Sequence, residues 1–319
     1  LAQKRIFGLM TPTIELYDAE GYTHRFIESG EMFDRHIRPD YARFFVARVE
    51  DMVRLMKLPV PPARITNHTL MYLTEGQATM TIGSEEYTLL KNECLVVPAG
   101  QVFSIGNVDL DSGKGYLCSI QNDSIVGKYA KSDILKDFEF FQVWGNPRIR
   151  LGGQTSLFVN RLFERIFTDY TENGLGNTDI LQPYLVALLC EINGAYVPLS
   201  TGKYTSAVGI THRFRDLLFR HVTTKHLVTE YAALLNISPN HLNKSVKAIT
   251  GKSPTKWIDE AIVLEAKVLL YQSDLSIGEI AAAIGLYDPS YFSRLFRKFE
   301  GVSPLQFRRA IGEGGTDRR

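Results

Sequence analysis

SIGEIAAAIGLYDPSYFSRLFRKFEGVSPLQF, residues 276–307, is the stretch from which the rest of this chain is read. Ser276 and Glu279 have the S-x-x-E spacing of a capping box, which starts a helix at Ile277. Ile277, Ile280, Ala281 and Ile284 recur at helical spacing and give that helix one apolar face. Gly285 can take the left-handed conformation that stops it. Asp288 followed by Pro289 reads as an N-cap with a first-turn proline, opening a second helix. There Phe292, Phe296 and Phe299 share one face, and Ser290, Ser293, Arg294 and Arg297 the other. Gly301 ends this helix, and Ser303-Pro304 can cap a third. A short helix, a sharp turn and a helix with one greasy and one basic face describe a helix-turn-helix. A helical hairpin in a core, its arginines merely solvated, gives the same pattern, so one copy decides nothing.

A second copy lies upstream. VTEYAALLNI from Val228 aligns with IGEIAAAIGL from Ile277 at an offset of 49, and PNHLNKSVKAITGKSP from Pro239 aligns with PSYFSRLFRKFEGVSP from Pro289 at an offset of 50. The extra residue falls in the turn, where insertions are tolerated. Leu242, Val246 and Ile249 repeat the apolar face, and Asn240, Asn243, Lys244 and Lys247 the polar one. Chance seldom duplicates a whole unit together with its caps and its exposed chemistry.

Two such units ending in G-x-S-P, the second carrying DPSYFSRLFRKF, resemble the DNA-binding domain of AraC/XylS-family bacterial transcription regulators. The resemblance covers about the last hundred residues. It departs from the family along the helix joining the units, where 257–266 has no basic residue at the place of a family phosphate contact. It implies double-stranded promoter DNA as partner, with Asn240, His241, Asn243, Lys244 and Lys247 of the first unit and Ser290, Tyr291, Ser293, Arg294, Arg297 and Lys298 of the second as contact residues. By side-chain chemistry Asn243 suits adenine, Arg294 and Arg297 suit guanine, and Lys247 and Lys298 suit phosphates.

Charge agrees with this division. Residues 203–319 hold 17 lysines and arginines against 11 acids, and residues 1–202 hold 19 against 24. The whole-chain charge of +1 therefore conceals a basic end suited to a polyanion and an acidic remainder that is not. Cys94, Cys118 and Cys190 are too few and too scattered for a disulfide framework or a zinc pattern, and read as buried thiols of a cytoplasmic protein. No apolar run approaches the ~18 residues of a membrane span.

The remainder changes character midway. Residues 13–17 suggest a short strand in an otherwise irregular arm, and 41–49 (YARFFVARV) a strand. Strand signals follow at 64–73, 77–82, 94–97, 102–105 and 116–120; Gly83-Ser84 forms a hairpin loop, with Tyr87 and Leu89 on the return strand. Short strands at close intervals predict a sandwich or barrel. TEGQATMTIG and VPAGQVFS are similar to the cupin-like barrel at the N-terminus of many AraC-family proteins. Enzymatic cupins gather two or three histidines and a glutamate around a metal. Here His68 stands alone and Phe103 occupies the place of the last histidine, so neither a metal nor another cofactor is expected. After Gly127 the period becomes helical: a short segment at 131–141, a loop at 144–153, and amphipathic helices at 156–170 and 179–196. The first sets Leu157, Arg161 and Glu164 beside Leu162, Ile166 and Phe167; the second carries Leu181, Leu185, Leu188, Leu189 and Ile192 on one side. In the resembled family such helices form a homodimer interface.

The expected organisation is an α+β chain of two domains. A cupin-like barrel with its arm spans 1–127, a helical, dimerising segment 128–197, a linker 198–205, and an all-α tandem helix-turn-helix domain 206–311. The expected function is a cytoplasmic DNA-binding transcription regulator, not an enzyme, whose barrel senses a small-molecule effector or a partner. RNA polymerase is a further candidate partner. The alternatives are a ligand-independent regulator with a scaffold barrel, and a cupin enzyme fused to a DNA-binding domain. A barrel interior with several polar groups favours sensing, and one filled by Phe, Leu and Met favours the scaffold.

Overall fold

The computed structural model describes residues 16–30, 33, 37–106, 113–121, 134–142, 145–198 and 206–314. Its N-terminal part is an antiparallel sheet of eight strands. These are β1 (Phe44–Arg48), β2 (Val60–Ala63), β3 (His68–Ile82), β4 (Glu85–Leu90), β5 (Glu93–Val97), β6 (Phe103–Ile105), β7 (Gly113–Ile120) and β8 (Arg148–Arg150). Helix α1 (Ala19–Phe26) precedes them, and α2 (Val49–Leu55) follows β1 directly. The 15-residue β3 organises the sheet: its first half pairs with β5 and β7, and its second half with β4 and β6. A register shift between Leu73 and Glu75 and a positive φ at Gly76 bend it between the two partnerships. What reads as two strands in sequence is thus one. The hairpin at Gly83-Ser84 forms as expected, with Ile82 opposite Glu85.

Both faces of the sheet are covered. Inside, Leu73, Met80, Leu95, Phe103 and Leu117 pack with Met52 and Leu55 of α2. The voids left there are small, about 70 Å³ and 30 Å³. The buried amide of Asn67 is used internally, donating to Ala42 O at 3.0 Å and to Ser119 Oγ at 3.1 Å. Outside, Leu70, Tyr72, Tyr116 and Cys118 meet two long helices, α3 (Gly153–Asn173) and α4 (Thr178–Ala195). Phe163 of α3 lies stacked against Tyr72 and Tyr116, ring centres 5.5 and 5.0 Å away.

Several expectations need correction. Of 41–49, Tyr41 and Ala42 end a 3₁₀ turn (Pro39–Ala42), Phe44–Arg48 is strand, and Val49 opens α2. Within 131–141 the described residues form two 3₁₀ turns, Ile134–Asp137 and Glu139–Phe141, rather than a helix. The loop at 144–153 contains β8, which pairs with β5. Of residues 13–17, only the last two lie among the described residues, and Tyr17 bridges to Ile65. The buried face of α3 is Val159, Phe163, Ile166 and Tyr170, while Leu157 is exposed. Leu181, Leu185, Leu188, Leu189 and Ile192 of α4 are buried against the sheet and α3, so that stripe is spent within the chain. Cys94 and Cys118 are buried thiols, but Cys190 is exposed.

The C-terminal part is all helical: α5 (Ser206–His221), α6 (Val228–Leu234), α7 (Pro239–Thr250), α8 (Pro254–Gln272), α9 (Ile277–Ala283), α10 (Pro289–Glu300) and α11 (Pro304–Gly314). One core joins them, with Phe214, Tyr231, Leu242, Ile262, Ala266, Ile280, Phe292 and Phe296 buried in it. The linker residues 199–205 lie outside the described residues. None of the described helices is long and apolar enough to cross a membrane.

The two parts meet along α8. Arg64, just after β2, is ion-paired with Glu265 of α8. Lys252 is ion-paired with Glu85 of β4 and, at 3.1 Å, with Glu260 of α8, whose carboxylate also accepts from Ser84 Oγ at 3.3 Å. Between these ties lies a cavity of about 360 Å³, walled by Val102 and Tyr87 from the sheet and by His212, Arg215, Trp257 and Ala261 from the helical part. The Arg215 guanidinium sits 4.6 Å from the Trp257 ring centre, and burial lowers its pKa to about 10. Burial, aided by the Arg215 charge, lowers His212 to about 4, so the imidazole is neutral at pH 7.

Candidate nucleic-acid interface

The two helix-turn-helix units are built by the same local rules. In the second, Ser276 Oγ accepts from Glu279 N–H at 3.2 Å and the Glu279 carboxylate accepts from Ser276 N–H at 2.8 Å, the reciprocal box expected from sequence. The hydrogen bonds lower the Glu279 pKa. The first unit has a variant in which Glu230 accepts from the backbone N–H groups of Leu227 and His226, at 2.8 and 2.9 Å. The turns match bond for bond. Asn236 and Gly285 both have positive φ, 54° and 78°. Ile237 N–H donates to Ala232 O, and Leu286 N–H donates to Ala281 O at the equivalent place. Asparagine tolerates the left-handed region; Gly285 has a further reason to be glycine. A Cβ there would lie 2.4 Å from Thr223 O and 2.7 Å from His226 Cε1. The His226 imidazole also bonds Ile284 O at 2.9 Å, closing the second turn onto the loop before α6.

Helices α7 and α10 then present their side chains alike. From Pro239 to Thr250 and from Pro289 to Glu300, the order of buried, half-buried and exposed residues is identical, position for position. Ser238 caps α7, accepting from His241 N–H at 3.2 Å, and Asp288 caps α10, accepting from Ser290 N–H at 2.8 Å. Gly251 and Gly301 close both helices in the left-handed conformation. Leu242, Ser245 and Val246 face inward, as do Phe292, Leu295 and Phe296.

Asn240, His241, Lys244 and Lys247 are exposed on α7, and Ser290, Tyr291, Arg294, Arg297 and Lys298 on α10. Asn243 and Ser293 are half-buried at the edge of this face. Asn243 Nδ2 donates to Pro239 O at 3.1 Å, which engages part of its amide in the helix. Arg294 lies 4.0 Å from Asp288, both well exposed, and Lys298 lies 3.8 Å from Asp259 of α8. The exposed Arg294 pair contributes about 0–1 kcal/mol, and Lys298, itself exposed, is tied more firmly because Asp259 is mostly covered. Among the described residues no carboxylate lies within 4.0 Å of Lys244, Lys247 or Arg297. The site is a pair of cationic, amide- and hydroxyl-bearing helix faces carried on one core. One exposed residue beside it was not foreseen: Tyr287, in the second turn.

His68 lies apart from this face. Its Nδ1 accepts from Ala99 N–H at 3.0 Å and its ring packs on Phe141, so the imidazole holds two loops together. Phe103 is buried in the barrel beside Tyr22.

Comparisons with known proteins follow the same division. The helix-turn-helix domain family matches residues 231–310. The MmsAB operon regulatory protein of Pseudomonas aeruginosa is 27% identical over 259 residues, covering 79% of each chain. The arabinose operon regulatory protein of Salmonella typhimurium is 30% identical over 89 residues, 28% of this chain and 32% of that one. Among solved structures, the C-terminal domain of AraT, a response regulator from Geobacillus stearothermophilus, is similar at 33% identity and a TM-score of 0.32, covering 33% of this chain and 88% of that one.

The turn geometry yields a paired expectation. Gly285→Ala combines left-handed strain with a clash against backbone and costs about 2–4 kcal/mol in denaturant unfolding. Gly251→Ala, at φ 72° with open space around it, carries the strain alone, about 1–2 kcal/mol. Equal losses at the two sites would contradict the contact with Thr223 and His226.

Proposed function

From the premise that this chain is a DNA-binding transcription regulator with an AraC/XylS-family helix-turn-helix domain at its C-terminus, we propose that it reads double-stranded promoter DNA with α7 and α10 together. The observation that carries this reading is the identical exposure pattern of the two helices, each with its cations on the open face. Two helices held on one connecting helix suit successive major grooves, about 34 Å apart along B-DNA. The arginine forks of α10 suit guanine edges, Asn243 suits adenine through its remaining amide valences, and Lys247 and Lys298 suit phosphates. Arg294→Ala or Arg297→Ala should cost about 1–3 kcal/mol on the specific site, with relaxed base preference from at least one of them. Lys247→Ala should weaken all sequences evenly and reduce the salt slope by about one. Titration of one promoter fragment at two salt concentrations tests this; two arginine variants that bind like wild type refute the assignment of α10.

The filled interior favours the scaffold alternative for the inside of the barrel, so the proposed sensing, in the cytoplasm, places the effector at the barrel's boundary with the helical part. The interior is packed with Met, Phe and Leu around voids of about 70 and 30 Å³, whereas the cavity against α5 and α8 is about 360 Å³, within the usual range for small-molecule sites. A ligand there touches both parts and biases their arrangement. In a thermal-shift screen of small metabolites, stabilisation of wild type should disappear in Ala261→Trp, which fills the cavity; undiminished stabilisation would put the effector elsewhere.

A homodimer remains the proposed assembly, through the outward residues Leu157 and Phe158 of α3 and Tyr184 of α4. Sedimentation of wild type and Phe158→Asp should show self-association in the first and its loss in the second; a strictly monomeric wild type at high micromolar concentration rejects it.

A further inference from the structure

The internal repeat breaks its alignment at one residue. The offset is 49 up to Leu286 and 50 from Asp288 onward, so Tyr287 is the residue that the second unit has and the first lacks. It is also 90% exposed, the most exposed of the large hydrophobic side chains among the described residues. Its surroundings are fixed. On one side Leu286 is buried and its N–H donates to Ala281 O at 2.8 Å. On the other, Asp288 caps α10 through Ser290 N–H. The phenol is therefore held out from an ordered turn, one residue before the cap of the recognition helix, on the approach to Ser290, Tyr291 and Arg294.

An insertion in a turn is accommodated at least cost by Gly, Asn or Ser. A tyrosine here buries nothing in the free protein, and its ring gains only when something covers it. Tyrosine offers a broad rigid surface with two χ angles to order and a hydroxyl that donates at the tip. The Asp288 carboxylate beside it accepts from Ser290 N–H and lies 4.0 Å from the Arg294 guanidinium, which offset its charge next to the phenol.

We propose that Tyr287 is a backbone contact of the second half-site, its ring packed on a deoxyribose and its hydroxyl donating to a phosphate oxygen beside the bases that face Arg294 and Arg297. This rests on the reading of α10 as a recognition helix. A neutral donor releases no counterion, so the contact adds affinity without adding to the salt slope, the opposite of Lys247. Because a backbone contact carries no sequence information, it strengthens all sequences alike.

The test is titration of promoter and scrambled DNA with the full chain at two salt concentrations, using wild type, Tyr287→Phe, Tyr287→Ala and Arg294→Ala. Tyr287→Ala should bind both DNAs about tenfold more weakly, with an unchanged salt slope, and Tyr287→Phe should lie between it and wild type. Its thermal unfolding should match wild type, since the ring packs on nothing. Binding within twofold of wild type overturns the proposal, as does a loss confined to the promoter sequence, which would make the ring a base reader. Unchanged DNA binding with reduced transcription in vitro also overturns it, assigning the ring to the polymerase. If Arg294→Ala is impaired while Tyr287→Ala is silent, this contact alone falls; if both are silent, the recognition-helix assignment falls with it.

Discussion

Burial on α8 is the constraint from which the rest follows. Ile258, Ile262, Val263, Ala266, Leu269 and Leu270 are buried along 19 residues, a rod of roughly 28 Å at 1.5 Å per residue. They place both helix-turn-helix units, and with them α7 and α10, on one core. Polar ties reinforce the joint from outside: Lys267 pairs with Glu300 at the end of α10 at 3.0 Å, and Lys298 reaches Asp259. The same helix offers Glu260 and Glu265 to the N-terminal sheet, so one rod carries the two helix-turn-helix units on one flank and the sheet domain on another.

The barrel can serve as a platform because its sheet is covered on both sides. Methionine and phenylalanine fill the interior, and α3 and α4 seal the outer face with aromatic stacking and a leucine stripe. A sheet so covered transmits displacement at its edge rather than absorbing it, since close-packed interiors yield little. The edge in contact with the helical part includes Arg64, beside β2, and the β3–β4 hairpin. Edge and rod are linked there by paired charges, Arg64 with Glu265 and Lys252 with Glu85 and Glu260.

Legibility in the sequence followed the range of the interactions. Caps, left-handed glycines and apolar stripes are local, and Ser276, Asp288, Gly285 and Gly301 gave the helical part almost residue by residue. Strands that lean on distant partners were harder. Val60–Ala63 contains two prolines and survives because its one partner is β6, while the three residues of β8 sit among Gly and Pro and are strand only because β5 is beside them. On α3 the expected stripe shares only Ile166 with the fully buried face; Val159, Phe163 and Tyr170 complete that face because the sheet lies against them, which periodicity in a mixed helix does not disclose. The leucines of α4 were correctly grouped, yet composition does not say whether such a stripe meets its own barrel or a second chain. Arg64 and Glu265, 201 positions apart, could not be paired from sequence at all. On the open face of α7 and α10 the exposed residues were legible from periodicity, whereas the bond of Asn243 to Pro239 O and the projection of Tyr287 depend on the folded helix and turn.

The two helix-turn-helix units match in exposure but not in chemistry: one face carries amides and lysines, the other hydroxyls and guanidinium groups. Symmetric dimers that read palindromes make their DNA look the same from either end. Here the unlike faces are in one chain and in fixed order, so under the proposed reading the preferred DNA has a head and a tail. A single bound molecule therefore has a direction along the promoter. Inverting the site while keeping its bases would carry the N-terminal domain from one end of that site to the other.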